Sequence, residues 1–173
     1  MLDEYHYVND ARGIILGLAL LGEGALAAGA FDEADRLLTQ STEAAGPYTK
    51  DRYKDGQGAM LGLAARGLGC PPEAGQRLRS APSRTRSVQR FPVQMVALVG
   101  LSLLCADEGE AERAVELFSL ASRYGFVANS IWFQDIVGQT LTAEAGLSPG
   151  VLHAARERGA ALDLENTITA LLQ

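Results

Sequence analysis

The sequence predicts an all-α fold, a right-handed superhelix of about four antiparallel helical hairpins closed by a C-terminal capping helix. Three observations favour it. Aromatic residues make up only 6% of the chain, which is low for a β-sandwich or barrel, and 19 glycines against 6 prolines suit short helices joined by tight turns. A pattern of small and apolar residues also returns every 40 residues, and hairpins of this kind must stack to bury a continuous core.

The pattern of small and apolar residues occupies matching positions in consecutive units. Its copies are Leu21-Gly22, Gly29, Ala34 and Leu38; Leu61-Gly62, Gly69, Ala74 and Leu78; Leu101-Ser102, Gly109, Ala114 and Phe118; and, more faintly, Leu141-Thr142, Ala145 and Ala154. The small residue on the first helix and the alanine on the second form a notch where the two helices approach closely. The glycine between them suits the left-handed conformation just past a helix end. The last large residue is expected to fill the space between hairpins.

The first unit also carries the residues of a known repeat. From Leu18 to Leu38 it reads L-x-x-L-G-x-x-A-x-x-x-G-x-F-x-x-A-x-x-x-L, which resembles the tetratricopeptide repeat (TPR). A step of 40 residues, instead of the family's about 34, is similar to the long-helix variant of such arrays. That variant looks like the helical C-terminal regions of large bacterial signalling proteins: LuxR-type activators, adenylate cyclases and regulatory ATPases. Residues 109–138 and 154–172 are similar to the last repeat and the closing helix of those tails.

This resemblance implies a non-catalytic scaffold or sensor region for protein–protein interaction, forming the C-terminal part of a larger bacterial regulatory protein. ATPase or cyclase activity would belong to other domains, and no cofactor is implied. The expected partners are a protein or peptide ligand or other domains of the same polypeptide, with weak self-association as a further option. The alternative is a small-molecule-sensing regulatory domain with a pocket between the solenoid and the region of Trp132.

Composition fits a single domain spanning residues 1–173. Apolar residues make up 47% of the chain and the mean hydropathy is +0.04, as in globular proteins. The most apolar runs fall short of the ~20 residues that span a bilayer, and the N-terminus lacks the basic and apolar regions of a signal peptide. Reduced thiols in the cytoplasm are therefore expected for the two cysteines, Cys70 and Cys105, although a disulfide between them stays open.

Charge is distributed unevenly along the chain, whose net charge is −6. No acidic residue occurs between Ala74 and Ala106, and the arginines in this stretch form a candidate basic patch: Arg77, Arg79, Arg84, Arg86 and Arg90. One interpretation is a docking site for an acidic partner or a nucleic-acid backbone, although the acidity of the whole chain disfavours nucleic acid. The other interpretation is that these arginines are solvated or pair with acids of a neighbouring repeat.

The expected repeats span about residues 10–47, 50–89, 92–125 and 130–159, and the capping helix spans 163–172. The first helix is expected to start at a cap formed by Asn9 or Asp10, after a frayed lead-in or the tail of a preceding helix, and to run to about Ala28. Apolar residues lie all around this helix, so one of its faces is either covered by another element or left exposed. The second helix is expected from about Phe31 to Ala45.

In the second repeat, a turn beginning at Gly69 leads into a helix with Pro72 at its start, a position that tolerates proline. Pro82 is expected to stop this helix early and to leave an irregular connection from Ala81 to about Gln89.

The last part of the chain is expected to begin with a loop over residues 125–130, followed by the aromatic bulk of Trp132 and Phe133. Ser148 is expected to cap a helix that ends at Gly159. Asp163 is expected to cap the closing helix.

Candidate catalytic and metal-binding residues are few. His6 and His153 lie far apart without further ligands at metal spacing, and neither cysteine has a nucleophile motif, so no catalytic, cofactor or metal site is assigned. The expected interaction site is instead the concave surface formed by the first helices of the hairpins. Its candidate contacts are Glu23, Met60, Leu63, Arg66, Leu103, Asp107 and Gln139. The methionine and the two leucines are equally explained as core residues.

Overall fold

The computed structural model describes residues 2–46, 54–84, 90–134 and 146–171, and these ranges contain helices and no β-strand. The all-α class is therefore confirmed. The helices are α1 (Leu2–Ala27), α2 (Phe31–Ala44), α3 (Lys54–Gly67), α4 (Pro71–Arg84), α5 (Arg90–Asp107), α6 (Ala111–Ser122), α7 (Gly125–Ala128), α8 (Pro149–Ala161) and α9 (Leu164–Leu171). Three hairpins follow one another, since α1 packs against α2, α3 against α4 and α5 against α6. α3 also contacts α2, α5 contacts α3 and α4, and α8 packs on α6.

The turns inside these three hairpins share one geometry. After α1, Gly29 has a φ of 72° and its N–H donates to the carbonyl of Leu26, while the next residue donates to the carbonyl five positions earlier. The same pair of hydrogen bonds forms at Gly69, which has a φ of 74°, and at Gly109, which has a φ of 82°. These bonds satisfy the last carbonyls of the preceding helix, and the left-handed backbone favours glycine. The predicted role of the three glycines is confirmed.

Close approach of the paired helices depends on glycine in the first two hairpins. A Cβ atom built at Gly22 would lie 2.7 Å from Cγ of Leu38, and one built at Gly62 would lie 2.7 Å from Cγ of Leu78. In the third hairpin Ser102 is fully buried, and its hydroxyl donates to a carbonyl of its own helix at 2.7 Å. Small residues at these positions therefore bring α1 against α2 and α3 against α4, as predicted.

A buried polar cluster joins the first hairpin to the second. The Ser41 hydroxyl on α2 donates to the carbonyl of Ile15 on α1 at 2.7 Å, and Nε2 of Gln57 on α3 donates to Oγ of Ser41 at 2.5 Å. The Thr42 hydroxyl donates to Oε1 of Gln57 at 2.5 Å. Buried polar groups need such partners, so the cluster fixes the position of α3 against α1 and α2.

Two predicted helix boundaries are wrong. α1 begins at Leu2, so Asn9 and Asp10 lie inside the helix and do not cap it. No glycine or proline interrupts residues 2–10, and the helix extends through them. α4 begins at Pro71 and runs through Pro82 to Arg84. Proline removes one backbone hydrogen-bond donor, but Pro82 lies in the last turn of α4, and the rest of the helix keeps its hydrogen bonds. Pro82 and its neighbour Ala81 are both buried.

The segment after α6 also differs from the expected loop. Residues 125–128 form α7, which places Val127 in the core, and residues 131–134 are again helical. Phe133 is buried there, with its ring centroid 4.6 Å from that of Trp132 and 5.8 Å from that of Phe126. Aromatic packing therefore replaces the loop. The rest of the first helix expected for the fourth repeat falls in residues 135–145, outside the described ranges.

The C-terminal helices close the described part of the chain. Ser148 precedes α8 in an extended conformation, as expected of a cap residue, but its side chain makes no capping hydrogen bond. α8 ends at Ala161 and not at Gly159, which is buried against the backbone of Glu116 on α6. Oδ1 of Asp163 accepts the N–H of Asn166 at 2.9 Å, which confirms Asp163 as the cap of α9.

Candidate functional site

The aliphatic residues predicted on the concave surface belong to the core. Leu63 on α3 and Leu103 on α5 are 8% and 4% exposed, and Met60 is half-buried against the same core cluster. These side chains contribute to the packing between hairpins, and the two leucines leave little surface for a partner to contact. The core interpretation is confirmed for the two leucines, whereas Met60 packs against the core and stays partly exposed.

Two of the predicted charged contacts meet each other. Nε of Arg66 donates to Oδ2 of Asp107 at 2.7 Å, and Nη2 donates to Oδ1 at 2.7 Å, so the guanidinium binds the carboxylate in a bidentate pair between α3 and α5. Both groups remain partly exposed. An ion pair of this kind contributes about 0–1 kcal/mol to stability, and it neutralises the two charges that the groove was expected to present.

Glu23 differs from its counterparts in the later hairpins. It occupies the position on α1 that Leu63 and Leu103 occupy on α3 and α5, and burial raises the pKa of its carboxyl group. An acid at this position therefore costs more to ionise than one in free solution. The remaining predicted contact, Gln139, lies outside the described residues.

The positive charge of the predicted basic patch is reduced, because Arg77 forms ion pairs with acidic side chains. This side chain lies 3.2 Å from Asp35 on α2 and 2.7 Å from Glu73 on its own helix, and it also donates to the Leu61 carbonyl. Pairing with an acid of the neighbouring hairpin is thus confirmed for Arg77. Arg79 is exposed on α4. Arg86 and the side chains of Arg84 and Arg90 lie outside the described part of the chain.

The largest exposed apolar surface among the described residues lies on α1. Ile14, Leu16, Leu20 and Leu21 are 58%, 51%, 57% and 63% exposed, although all four are large aliphatic residues. Three glycines share this side of the helix, and a Cβ atom built at any of them has open space around it: Gly13, Gly17 and Gly24. We call these seven residues the α1 outer face. The sequence indicated that α1 is apolar on both sides, and the structure shows which side is uncovered.

The equivalent surface of α5 is covered, and so are parts of that of α3. Residues 80 positions further along, in α5, are all buried: Val93, Gln94, Val96, Ala97, Gly100, Leu101 and Leu104. α3, α4, α6 and α7 pack around them. On α3, the equivalents of Gly17 and Gly24 are Gln57 and Ala64, both buried. In the described structure no element lies in the corresponding place beside α1, which leaves its outer face available to a partner.

The α1 outer face carries no charge, since residues 13–22 contain no acidic or basic side chain. Arg12 lies at one end of this stretch and Glu23 at the other. Apolar surface with charged residues only at its edge is typical of a protein-binding site.

A second feature is a set of three buried polar atoms on α5, on α6 and at Trp132. Nε1 of Trp132, Nε2 of Gln94 and Oγ of Ser122 are buried and make no hydrogen bond in the described structure. Such groups normally have a partner, and their desolvation is costly without one.

Chemistry-bearing side chains are dispersed. In the described ranges no group of three histidine, cysteine or acidic residues is close enough to hold a metal ion. Cys70 is exposed, and burial, together with the charges of Glu110 and Glu108, raises the pKa of the half-buried Cys105 thiol. His153 lies 3.4 Å from Glu157 on the surface of α8. A raised thiol pKa disfavours the nucleophilic thiolate, which fits a structural role for Cys105.

No family model, curated protein or solved structure matches this chain. None of the helices in the described ranges is long and apolar enough to cross a lipid bilayer.

Proposed function

We propose that the chain is a non-catalytic protein–protein interaction scaffold. In this proposal it is a right-handed superhelix of about four TPR-like hairpins with α9 as the cap, and it forms the C-terminal repeat region of a larger bacterial regulatory protein in the cytoplasm. The α1 outer face is the observation that supports the interaction role most. The glycine turns after α1, α3 and α5, which recur at steps of 40 residues, support the repeat architecture.

Burial of the α1 outer face supplies the driving force for binding. Covering a large aliphatic side chain gains about 1.5–3 kcal/mol, before the entropic costs of association are subtracted. The inner side of α1 is already held by α2, with Ile15 and Leu26 buried between the two helices. A partner therefore meets a surface that is already ordered, which lowers the entropic cost of binding.

The test compares two single charge substitutions at exposed aliphatic positions. Leu21→Glu changes the α1 outer face, and Ile131→Glu changes a residue that is 77% exposed outside α1. The immobilised chain captures proteins from its source cells, and mass spectrometry identifies them. We expect the wild type and Ile131→Glu to retain proteins that Leu21→Glu loses, with the same circular dichroism for all three. Equal capture by all three would contradict a docking role for α1.

The concave surface is tested by exchanging the charges of its ion pair. Arg66→Asp combined with Asp107→Arg keeps an attractive pair between α3 and α5 but reverses the sign of each charge at the surface. If the concave surface takes part in recognition, this double variant captures less partner than wild type at unchanged helical content. Unchanged capture would leave the α1 outer face as the proposed docking site.

A second candidate function is supported by the unpaired donors of Trp132 and Gln94. Buried N–H groups without a partner among the described residues suit a small ligand with hydrogen-bond acceptors, as expected of a sensing domain. A ligand that binds only the folded state raises the midpoint of thermal unfolding. A thermal-shift screen of carbonyl- and carboxylate-bearing metabolites should then give a hit that Trp132→Phe abolishes. Absence of any shift would remove this candidate.

A further inference from the structure

Large and small residues alternate along the α1 outer face. Gly13, Leu16, Gly17 and Leu20 follow one another at spacings that place them on one side of the helix. The two leucines are exposed, and a Cβ atom built at either glycine has open space around it. This side of α1 therefore carries two projecting side chains and two gaps where the backbone is bare.

The α1 outer face differs in sequence from the matching surfaces of the later hairpins. The α5 residue equivalent to Leu20 is Gly100, where a Cβ atom would lie 2.5 Å from the side chain of Leu78 in the preceding hairpin. On α3 the equivalent residue is Met60, which is half-buried against the core cluster. The α3 residue equivalent to Gly17 is Gln57, whose side chain bonds two hydroxyl groups of α2, and glycine cannot make these bonds. The alternation of leucine and glycine on α1 recurs on neither α3 nor α5.

We propose that the α1 outer face binds the same face of a second copy of this chain, with the two α1 helices antiparallel about a twofold axis between Leu16 and Gly17. In this arrangement Leu16 of each copy lies against Gly17 of the other, and Leu20 lies against Gly13, so each leucine fills a gap. A twofold contact pairs a surface with itself, which suits a face that carries both projections and gaps. The inference rests on the proposed function, because it names the partner of the same surface.

Charges at the two ends of the face support the antiparallel orientation. Arg12 and Glu23 are about three helical turns apart, so they lie on the same side of α1. The twofold axis places Arg12 of one copy about two positions, or roughly 3 Å along the helix, from Glu23 of the other. Two reciprocal ion pairs therefore flank the contact. Residues 13–22 carry no charge, so the pairing brings no like charges together there.

The expected dimer is weak. A contact made by one pair of helices buries less than the roughly 1,600 Å² of a standard interface, so assembly should depend on protein concentration. Sedimentation equilibrium over about two decades of concentration measures this dependence. We expect the weight-average mass to rise from 18.3 kDa towards twice that value.

Variants locate the contact. Leu20→Glu should raise the dissociation constant by at least about tenfold, because the twofold contact would bury two unpaired carboxylates. Ile131→Glu leaves the dissociation constant unchanged. Arg12→Glu and Glu23→Arg should each weaken the dimer by about threefold, and combining them should restore wild-type association. Circular dichroism of every variant checks that the helical content is retained.

Three results would overturn the dimer: a mass of 18.3 kDa at every concentration, a dissociation constant that Leu20→Glu leaves unchanged, or failure of the charge exchange to restore association. A monomer whose capture of other proteins is still lost in Leu21→Glu would assign the α1 outer face to a different partner. That outcome overturns self-association and leaves the proposed interaction function intact. A monomer that captures nothing through α1 would overturn both.

Discussion

Leu78 lies between two glycines that belong to different hairpins. A Cβ atom built at Gly62 on α3 would lie 2.7 Å from Cγ of Leu78, and one built at Gly100 on α5 would lie 2.5 Å from Cδ2. Helices with glycine at the contact approach more closely than any side chain allows. One fully buried leucine therefore sets the spacing of α4 from its hairpin partner and from the following hairpin.

Replacing Gly62 by alanine should destabilise the protein. The added methyl group overpacks the site around Leu78 at a cost of about 1–3 kcal/mol, and the higher helix propensity of alanine offsets about 1 kcal/mol of it. We expect the free energy of unfolding in urea to fall by up to about 2 kcal/mol. Gly24→Ala is the matched control, since its methyl group enters open space and should stabilise the helix by up to about 1 kcal/mol. Equal stability of the two variants would contradict the close contact.

At the level of elements, α8 is held on α6 by polar contacts around a glycine. Arg158 donates to Glu116 at 2.6 Å and to Glu112 at 2.5 Å, and the Ser119 hydroxyl donates to the carbonyl of Arg156 at 2.9 Å. Gly159 lies beneath these bonds, directly against the backbone of α6. These bonds form only where the two helices lie close together, and the glycine allows this approach.

Gly159→Ala should displace α8 from α6. A Cβ atom at this position would collide with the main-chain oxygen of Glu116, and backbone has less freedom to move than a side chain. We expect a loss of about 2–3 kcal/mol in urea unfolding and faster tryptic cleavage after Arg158. Gly150→Ala, in the same helix but with open space around its Cβ, should leave the cleavage rate unchanged. Similar cleavage of the two variants would show that α8 does not need this contact.

The same contact should make stability depend on pH. Burial alone would raise the pKa of Glu116, but hydrogen bonds from Arg158 and Arg113 outweigh it and hold this pKa below its ordinary value of 4.5. A carboxylate with a lowered pKa in the folded state stabilises the protein above its ordinary pKa, and this contribution is lost as the pH falls through the folded value. Between about pH 7 and about pH 3, the free energy of unfolding should therefore fall less in Glu116→Gln than in wild type. Parallel losses in the two proteins would contradict the assignment.

Sequence predicts the hairpin turns well because their geometry depends on neighbouring residues. Gly29 and its counterparts end the first helices with positive φ, as the pattern indicated. The errors occur where distant packing decides the outcome. α4 continues through Pro82, which is buried, and Gly159 contacts α6 instead of ending α8. Local sequence does not distinguish a glycine that ends a helix from one that lets a second helix approach.

At the level of the whole molecule, the first helices of the hairpins differ in burial, since α1 has one exposed face and α5 is enclosed. Glu23, Leu63 and Leu103 occupy equivalent positions and were predicted as partner contacts, but the two leucines are buried between hairpins. The pattern alone does not contain this information, because it is nearly the same in each hairpin. The sequence showed only that apolar residues lie all around α1. Which side of the helix is exposed depends on where the other described helices lie.

The enclosure of α5 leads to a prediction for the stability of the whole molecule. Residues 93–104 are all buried, and α3, α4, α6 and α7 contact this helix, whereas α9 is a short helix whose residues are largely exposed. Amides that open only when the protein unfolds globally exchange slowest with solvent. We therefore expect the slowest hydrogen exchange in the second half of α5 and the fastest helical exchange in α9. The Leu20→Glu variant is the appropriate sample, since a second copy of the chain would otherwise protect α1. Exchange in α9 as slow as in α5 would mean that the C-terminal helix unfolds only with the whole stack, despite its few buried residues.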